Sequence, residues 1–331
     1  MAEAKVVITD LVEDDLTPER EVLDGVARVE ALGASKEEDL VGRVEDADAV
    51  MVYALHLTRP TIERLERCRL IVRCGVGYDK IDGAFARERG IPLAHVPDYC
   101  TEEVADTALA QLLALLRGLS YQSARLHAAA APWTWREAVS LSVRRTRGRT
   151  LGLVGLGRIG TATALRAKAF GLDVGYYDPY KPHGYDKALG LRRFDSLEDL
   201  ARGSEVLSLH CPLTPETRGV IDARILSLLP SGAFLVNTAR GPVVDTAAIP
   251  AALESGHLAG VALDVLPQEP PPDDDPLIRA WRDPQHPAHW RVLVTPHSAF
   301  YSRESRREAR TRGAQTVRRA LAGEPIATVV N

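Results

Sequence analysis

Thr150-Leu-Gly-Leu-Val-Gly155-Leu-Gly157-Arg158-Ile159-Gly160 is an apolar run that breaks into glycines at a fixed spacing, Gly155-x-Gly157-x-x-Gly160. Such a spacing arises by chance in loops, so its neighbours decide the reading. An apolar strand, Thr150–Val154, precedes it, and a helix follows with Ile159, Ala162, Thr163, Leu165, Ala167 and Phe170 available to pack. A second strand, Asp173–Tyr177, ends in Asp178, eighteen residues after Gly160. In such a unit Gly155 permits a tight turn, Gly157 lets the backbone approach a pyrophosphate with no Cβ in the way, and Gly160 allows close helix–strand packing. The helix N-terminus, with Arg158 and Ile159 in its first turn, then turns its unpaired N–H groups to the phosphate. A carboxylate at Asp178 accepts from the ribose 2′- and 3′-hydroxyls and repels a 2′-phosphate. The stretch therefore predicts a site for NAD rather than NADP, with Lys181 as the nearby cation that argues the other way.

The same alternation continues on both sides. Strands are predicted at Val206–His210, Ala233–Asn237, Gly260–Val265 and Val292–Thr295, with helices between them and a Pro- and Asp-rich loop at Gln268–Asp275. The first hundred residues repeat the theme, with strands at Lys5–Thr9, Ala49–Tyr53 and Leu70–Arg73 and a closing strand between Pro92 and Pro97. Helical stretches near Pro18–Gly25, Glu37–Val44 and Pro60–Arg67 separate them. Alternating β and α segments predict an α/β protein built on largely parallel sheets covered by helices. A long helix joins the halves, with Thr101 at its N-cap, Glu102 and Glu103 in its first turn, and apolar residues from Val104 to Leu119 at helical spacing. Ala128–Trp135 and Arg144–Arg149 read as irregular, and a final helix over about Ser302–Leu321 ends at Gly323 and Pro325.

A chain of 331 residues predicts about two domains at roughly 150 residues each. Hydrophobic residues make up 45% and charged residues 26%, which argues against wholesale disorder. A net charge of −4 excludes a polybasic nucleic-acid binder as a whole. Two local basic segments, Arg144-Arg145-x-Arg147-x-Arg149 and the arginines of the last helix, read as a solvated face or an interface, with a nucleic-acid or protein partner the lesser reading. The longest apolar stretch, Ala108–Leu116, is interrupted by Gln111 and is far short of the ~20 residues that span a bilayer. The N-terminus reads as a buried first strand and not a signal peptide. Cys68, Cys74, Cys100 and Cys211 form no CxxC pair and fit no zinc pattern, so they read as core residues in a reduced, cytoplasmic protein with no metal site.

Ligands of a doubly wound sheet lie at the carboxyl ends of its strands. Three segments deliver a chemically active side chain there: Asn237-Thr238-Ala239-Arg240-Gly241, Asp264-Val-Leu-Pro-Gln-Glu269, and Thr295-Pro-His297. Each alone has a bland reading as a polar loop residue. Together, beside a dinucleotide fingerprint, they supply a hydride-transfer site. An imidazole exchanges the alcohol proton near neutral pH. A carboxylate beside it stabilises imidazolium, and a guanidinium binds a carboxylate and polarises the neighbouring carbonyl.

The set Gly-Leu-Gly-Arg158-Ile-Gly, Asn237-Thr-Ala-Arg240-Gly, Ala262-Leu-Asp-Val with Glu269-Pro, and Thr295-Pro-His297 resembles the D-isomer-specific 2-hydroxyacid dehydrogenases over nearly the whole chain. Leu165–Gly171, Tyr177-Asp-Pro-Tyr180, Gly232–Gly241 and His297-Ser-Ala-Phe-Tyr-Ser302 bring it nearest the C-terminal-binding-protein branch. The resemblance implies two Rossmann-like or flavodoxin-like domains, with a cofactor domain (101–298) inserted into a split substrate domain (1–100 and 299–331). It also implies a homodimer whose interface uses an arm at about 101–148. It makes His297 the acid/base, Glu269 its carboxylate partner and Arg240 the substrate arginine, and places Asp264 near the nicotinamide. His210, Cys211, Pro212 and Thr217 then lie along the adenosine side, with Thr238, Ala239 and Ala299 completing the cofactor contacts. Tyr53, Arg73, Gly75, Val76, Gly77 and Phe300 would meet the substrate. Phe300 replaces a tryptophan of the animal corepressors and Val76 a small polar residue, so their substrate preference does not transfer. Pro276–Arg291 is longer than usual, and no C-terminal regulatory domain is expected after Asn331.

The expected reaction is reversible hydride transfer between NAD(H) and a small 2-oxo acid, giving a D-2-hydroxy acid. The rival reading is an NAD(H)-sensing, corepressor-like binding protein with incidental activity. A third is a relative that oxidises formate or phosphite; the retained Glu269–His297 pair argues against formate.

Overall fold

The computed structural model describes residues 3–10, 16–129, 135 and 143–331. The chain divides into two compact units, Met1–Cys100 with Tyr301–Asn331, and Thr101–Phe300.

The first unit begins with β1 (Ala4–Ile8), α1 (Thr17–Leu23), β2 (Ala27–Ala31), β3 (Ala49–Val52), α2 (Arg59–Ile62), β4 (Ile71–Arg73), α3 (Gly83–Glu88) and β5 (Leu93–His95). Its five strands are parallel in the order β2-β1-β3-β4-β5. Ala49, Val50, Met51 and Val52 are fully buried, as expected of a central parallel strand covered on both faces. The helices are shorter than the apolar spacing predicts. Over Glu37–Val44 only a 3₁₀ turn, Glu37–Leu40, forms before Gly42 turns left-handed, and α1 stops before Gly25 does the same. β2 was not anticipated: it is an edge strand whose Arg28 and Glu30 dilute the apolar signal.

The second unit opens with α4 (Thr101–Arg117) and α5 (Leu119–Ala128). The single long helix expected here is broken by Gly118 at φ 62°, and Leu119, expected on its buried face, is 57% exposed. There follow β6 (Thr150–Val154), α6 (Arg158–Ala169), β7 (Asp173–Tyr177), α7 (Tyr185–Leu189), β8 (Arg192–Arg193), α8 (Leu197–Arg202), β9 (Val206–Leu209), α9 (Ala223–Leu228), β10 (Ala233–Asn237), α10 (Ile249–Glu254), β11 (Leu258–Leu263), α11 (Pro276–Arg282) and β12 (Val292–Val294). All seven strands are parallel, in the order β12-β11-β10-β9-β6-β7-β8. The chain runs outward from β6 to β8, returns to β9 on the other side of β6, and runs outward again to β12. The switch of direction lies between β6 and β9, the place where doubly wound sheets take their ligands at the carboxyl ends of the strands. On α6 the small residues Gly160, Thr163, Ala164 and Ala167 face the core, while Leu165 and Phe170, expected to pack, are exposed. The small face lets α6 lie close against α4.

The last helix, α12 (Arg303–Leu321), returns to the first unit, capped by Ser302, which accepts from Ser305 N at 2.8 Å. It packs on α1 through a buried pair in which Arg310 donates to both Glu19 oxygens at 2.7 and 2.6 Å. The boundary falls two residues beyond the expected 298/299, because Ala299 donates its N–H to Asp264 at 2.9 Å and accepts from Thr107.

Candidate functional site

The glycine run leaves β6 at the switch point, and His210-Cys211-Pro212 leaves β9 beside it. A Cβ on Gly155, which sits at φ +92°, would lie 2.9 Å from Cys211 N and from His210 C and O. One on Gly160 would lie 2.4 Å from the Gly155 carbonyl oxygen. Both glycines are therefore required by close backbone approach. Gly157 differs: a Cβ there meets nothing within 4 Å, so the turn faces open space. Gly157 caps α6 without a side-chain acceptor, so no side chain of its own claims the first-turn N–H groups, and Arg158 lies exposed at the helix start. Asp178 stands at the end of β7, where it accepts from Leu156 N at 2.8 Å and Tyr180 N at 3.0 Å. Thr217 folds the loop after β9 by donating to the Pro212 carbonyl at 2.6 Å.

Two buried polar atoms at this edge have no hydrogen-bond partner, His210 Nδ1 and Thr238 Oγ1. The other ring nitrogen of His210 lies 2.9 Å from Ser208 Oγ, and burial pushes the imidazole down to about 4. Orphaned buried polar atoms are uncommon and call for a partner. An open glycine turn at a helix N-terminus, an acid at the next strand end and two waiting polar atoms fit a dinucleotide.

On the β10–β12 side the three expected catalytic residues come together. Gly241 lies so close to Leu266 that a Cβ would sit 2.0 Å from its carbonyl carbon and oxygen, which lays the Arg240 loop against the loop after β11. Leu266 N donates to Glu269 Oε1 at 3.0 Å, and the other Glu269 oxygen is 2.7 Å from His297 Nδ1. His297 and Glu269 side chains are 34% and 32% exposed, so the pair is held yet reachable. With Nδ1 on the carboxylate, Nε2 is the ring nitrogen left to meet another group. Arg240 packs its guanidinium back on the Ala239 carbonyl at 2.9 Å, and Asn237 Nδ2 holds the Arg240 carbonyl at 3.0 Å. The Phe300 ring meets His297 edge-on, 6.4 Å between centroids.

His297 adopts φ 51°, a left-handed conformation unusual for a residue with a Cβ. Asp264 holds it there. Its backbone carbonyl accepts from His297 N at 2.8 Å, and its carboxylate accepts from Thr295 Oγ1 at 2.5 Å, Ser298 N at 2.9 Å and Ala299 N at 2.9 Å. The Asp264 side chain, expected near the nicotinamide, thus spends its acceptors on the turn that carries His297. Gly241, Thr295 and Gln111 were not singled out as site residues. Gln111 left one signal, a polar residue inside the apolar run of α4.

The remaining expected residues belong to the first unit. Tyr53 donates its hydroxyl to Glu19 at 2.9 Å, and burial pushes the phenol far above its usual range. Asp10 accepts from the N–H groups of Tyr53, Ala54 and Leu55 at 2.9, 2.6 and 2.9 Å, fixing the loop after β3. Arg73 folds over Gly75, where a Cβ would collide with its guanidinium at 1.6 Å, and the Val76 carbonyl lies 2.7 Å from His95 Nδ1. Gly77 follows in the same partly exposed loop. The cysteines are buried and free. Burial pushes Cys68 and Cys74 up to about 12 and Cys211 to about 11, so none is a ready thiolate. Among the described residues no cluster of His, Cys, Asp and Glu could hold a metal ion, and no helix is long and apolar enough to cross a membrane.

Two doubly wound units, one carrying a dinucleotide fingerprint together with a His–Glu pair and an arginine at the carboxyl edge of its sheet, have the make-up of a nicotinamide-dependent dehydrogenase. Residues 109–299 match the model of the D-isomer specific 2-hydroxyacid dehydrogenase NAD-binding domain, and the chain belongs to that family. Its cofactor is NAD. It is 34% identical to D-3-phosphoglycerate dehydrogenase of Methanocaldococcus jannaschii over 328 residues, 99% of this chain and 59% of that one. It is 34% identical to C-terminal-binding protein 1 of Caenorhabditis elegans over 316 residues, 93% of this chain and 42% of that one. The chain therefore spans about half the length of these curated relatives. D-lactate dehydrogenase from Aquifex aeolicus, solved with NAD and lactic acid, superimposes with a TM-score of 0.84 at 29% identity over 96% of both chains.

Proposed function

We propose that this chain reversibly reduces a small 2-oxo acid to a D-2-hydroxy acid at the expense of NADH. The observation that carries the reading is the His297–Glu269 pair at 2.7 Å, held beside the Arg240 loop at the carboxyl edge of the NAD-binding sheet. When bound, NADH supplies the hydride that reaches C2 of the oxo acid. Arg240 takes the substrate carboxylate through its planar fork and polarises the adjacent carbonyl. His297 holds a proton at Nε2 and passes it to the carbonyl oxygen as that oxygen becomes a hydroxyl. Glu269, on Nδ1, keeps the ring in the required tautomer and stabilises its charged form. Phe300, edge-on to His297, walls the space for the substrate side chain. Asp178 selects NAD over NADP by opposing a 2′-phosphate. Arg73 is a further candidate to hold the oxo acid, and Arg73→Lys should then raise the KM for it.

The test is NADH oxidation at 340 nm against glyoxylate, hydroxypyruvate, pyruvate, phenylpyruvate and branched-chain 2-oxo acids. His297→Gln should cut kcat by about 10²- to 10⁴-fold, the usual worth of a positioned acid/base, while NADH still quenches or transfers fluorescence on binding. Arg240→Ala should lose the oxo acid first. Unchanged turnover in His297→Gln removes the assigned role, and NADH binding without turnover on any oxo acid replaces the enzyme with a sensor.

A further inference from the structure

The oddest residue on α4 is Gln111. It is 4% exposed and lies among Ala108, Leu109 and Leu112 on the buried face of the helix. A buried amide costs about 1–3 kcal/mol when left unbonded, so its position calls for a partner. Its Nε2 donates to Thr295 Oγ1 at 3.0 Å, while its Oε1 is buried with no hydrogen-bond partner. The donor half alone therefore accounts for the residue. With an N–H arriving at the Thr295 oxygen, the one hydroxyl proton points the other way, to Asp264 Oδ1 at 2.5 Å. That carboxylate in turn gathers Ser298 N and Ala299 N, and one helical turn before Gln111 the Thr107 hydroxyl reaches the Ala299 carbonyl at 3.4 Å.

We infer that Gln111 and Thr295 are positioning residues for the acid/base: the relay Gln111 → Thr295 → Asp264 holds the 295–299 turn and keeps His297 in its left-handed conformation. The relay has a direction. A donor at 111 commits the hydroxyl proton of Thr295 to Asp264, whose carboxylate also takes the two turn amides. Thr107 and Gln111, four apart, share one face of α4, so the helix grips both ends of the turn that carries His297. The inference rests on the dehydrogenase reading given above, and it predicts that loosening the relay misplaces Nε2 without touching the glycine turn or Asp178.

The experiment uses the full chain with NADH and its best oxo acid. Thr295→Val keeps the shape and removes the proton; Thr295→Ser keeps the proton; Gln111→Met keeps the volume and removes the donor. Thr295→Val should lower kcat by about 10- to 100-fold, as a misplacement on the order of 1 Å does, with NADH affinity unchanged. Thr295→Ser should restore most of the lost kcat, and Gln111→Met should lower kcat in the same sense by less. Wild-type kcat in Thr295→Val, or a loss confined to KM for NADH, overturns the inference. Should Thr295→Val fail to fold, Gln111→Met decides alone, and wild-type kcat there overturns it. His297→Gln, run alongside, separates failure of the relay from failure of the dehydrogenase reading.

Discussion

At the scale of single residues the site spends stability on placement. A non-glycine residue at φ 51° costs roughly 1–2 kcal/mol against ordinary backbone, and His297 bears it because Asp264 accepts three hydrogen bonds from the flanking turn. Asp178 acts through charge. Its two oxygens are set by Leu156 N and Tyr180 N, so an amide of the same shape keeps one of these two hydrogen bonds and removes the charge proposed to repel a 2′-phosphate. Like charges in contact cost several kcal/mol, and each 1.4 kcal/mol is tenfold. Asp178→Asn should therefore raise the ratio of kcat/KM for NADPH over NADH by about tenfold or more. An unchanged ratio would move cofactor choice to another residue, with Lys181 the first to test.

At the scale of elements, glycines decide which loops touch. Gly241 is the clearest case, since the Arg240 loop and the loop after β11 meet where any Cβ would overlap the Leu266 carbonyl. Gly241→Ala should force the two loops apart at a cost of about 1–3 kcal/mol, visible as a lower melting temperature. Turnover should fall as well, by about 10²-fold, because Glu269 hangs from Leu266 N. A melting shift with wild-type kcat/KM would show that the approach of the loops matters only for folding. Helix α5 raises a different question. None of its residues is buried, and Leu119 at its start is 57% exposed. A ten-residue helix is marginal without an apolar face to bury. The homodimer that the family resemblance implies would bury this helix, and sedimentation of the full chain is the measurement that checks for it. The arm residues 130–134 and 136–142 lie outside the described residues.

At the scale of the molecule, His210 ties the crevice to acid stability. Burial holds its imidazole at about 4 in the folded chain against 6.5 when free. Between those values the unfolded chain binds the extra proton, so stability rises as pH rises from about 4 to 6.5, is complete above, and is lost as pH falls. Denaturant titrations at pH 5 and pH 7.5 should show the difference, and His210→Gln should flatten part of it. An equal slope in that variant would assign the acid sensitivity elsewhere.

Much of this protein was legible along the chain. The glycine run, Asp178 and the Arg240, Glu269 and His297 segments follow from local rules: strand ends, turn geometry and helix starts depend on neighbours a few residues away. The strand bounds of β6, β7 and β10 fall where the apolar runs place them, because a strand buried on both faces leaves little choice of residue. Elements that depend on a few residues were less legible. β8 is two residues long, β2 is a diluted edge strand, and the break after α4 turns on one glycine. What tertiary structure alone decided is who satisfies whom. Nothing near Gln111 in sequence announces Thr295, 184 residues away, as its partner. Nothing near Asp264 says that its carboxylate faces the 295–299 turn. Nothing near Tyr53 says that its hydroxyl belongs to Glu19. Those pairings exist because buried polar groups must find partners wherever the fold delivers them, and the fold delivers them across the sheet and not along the chain.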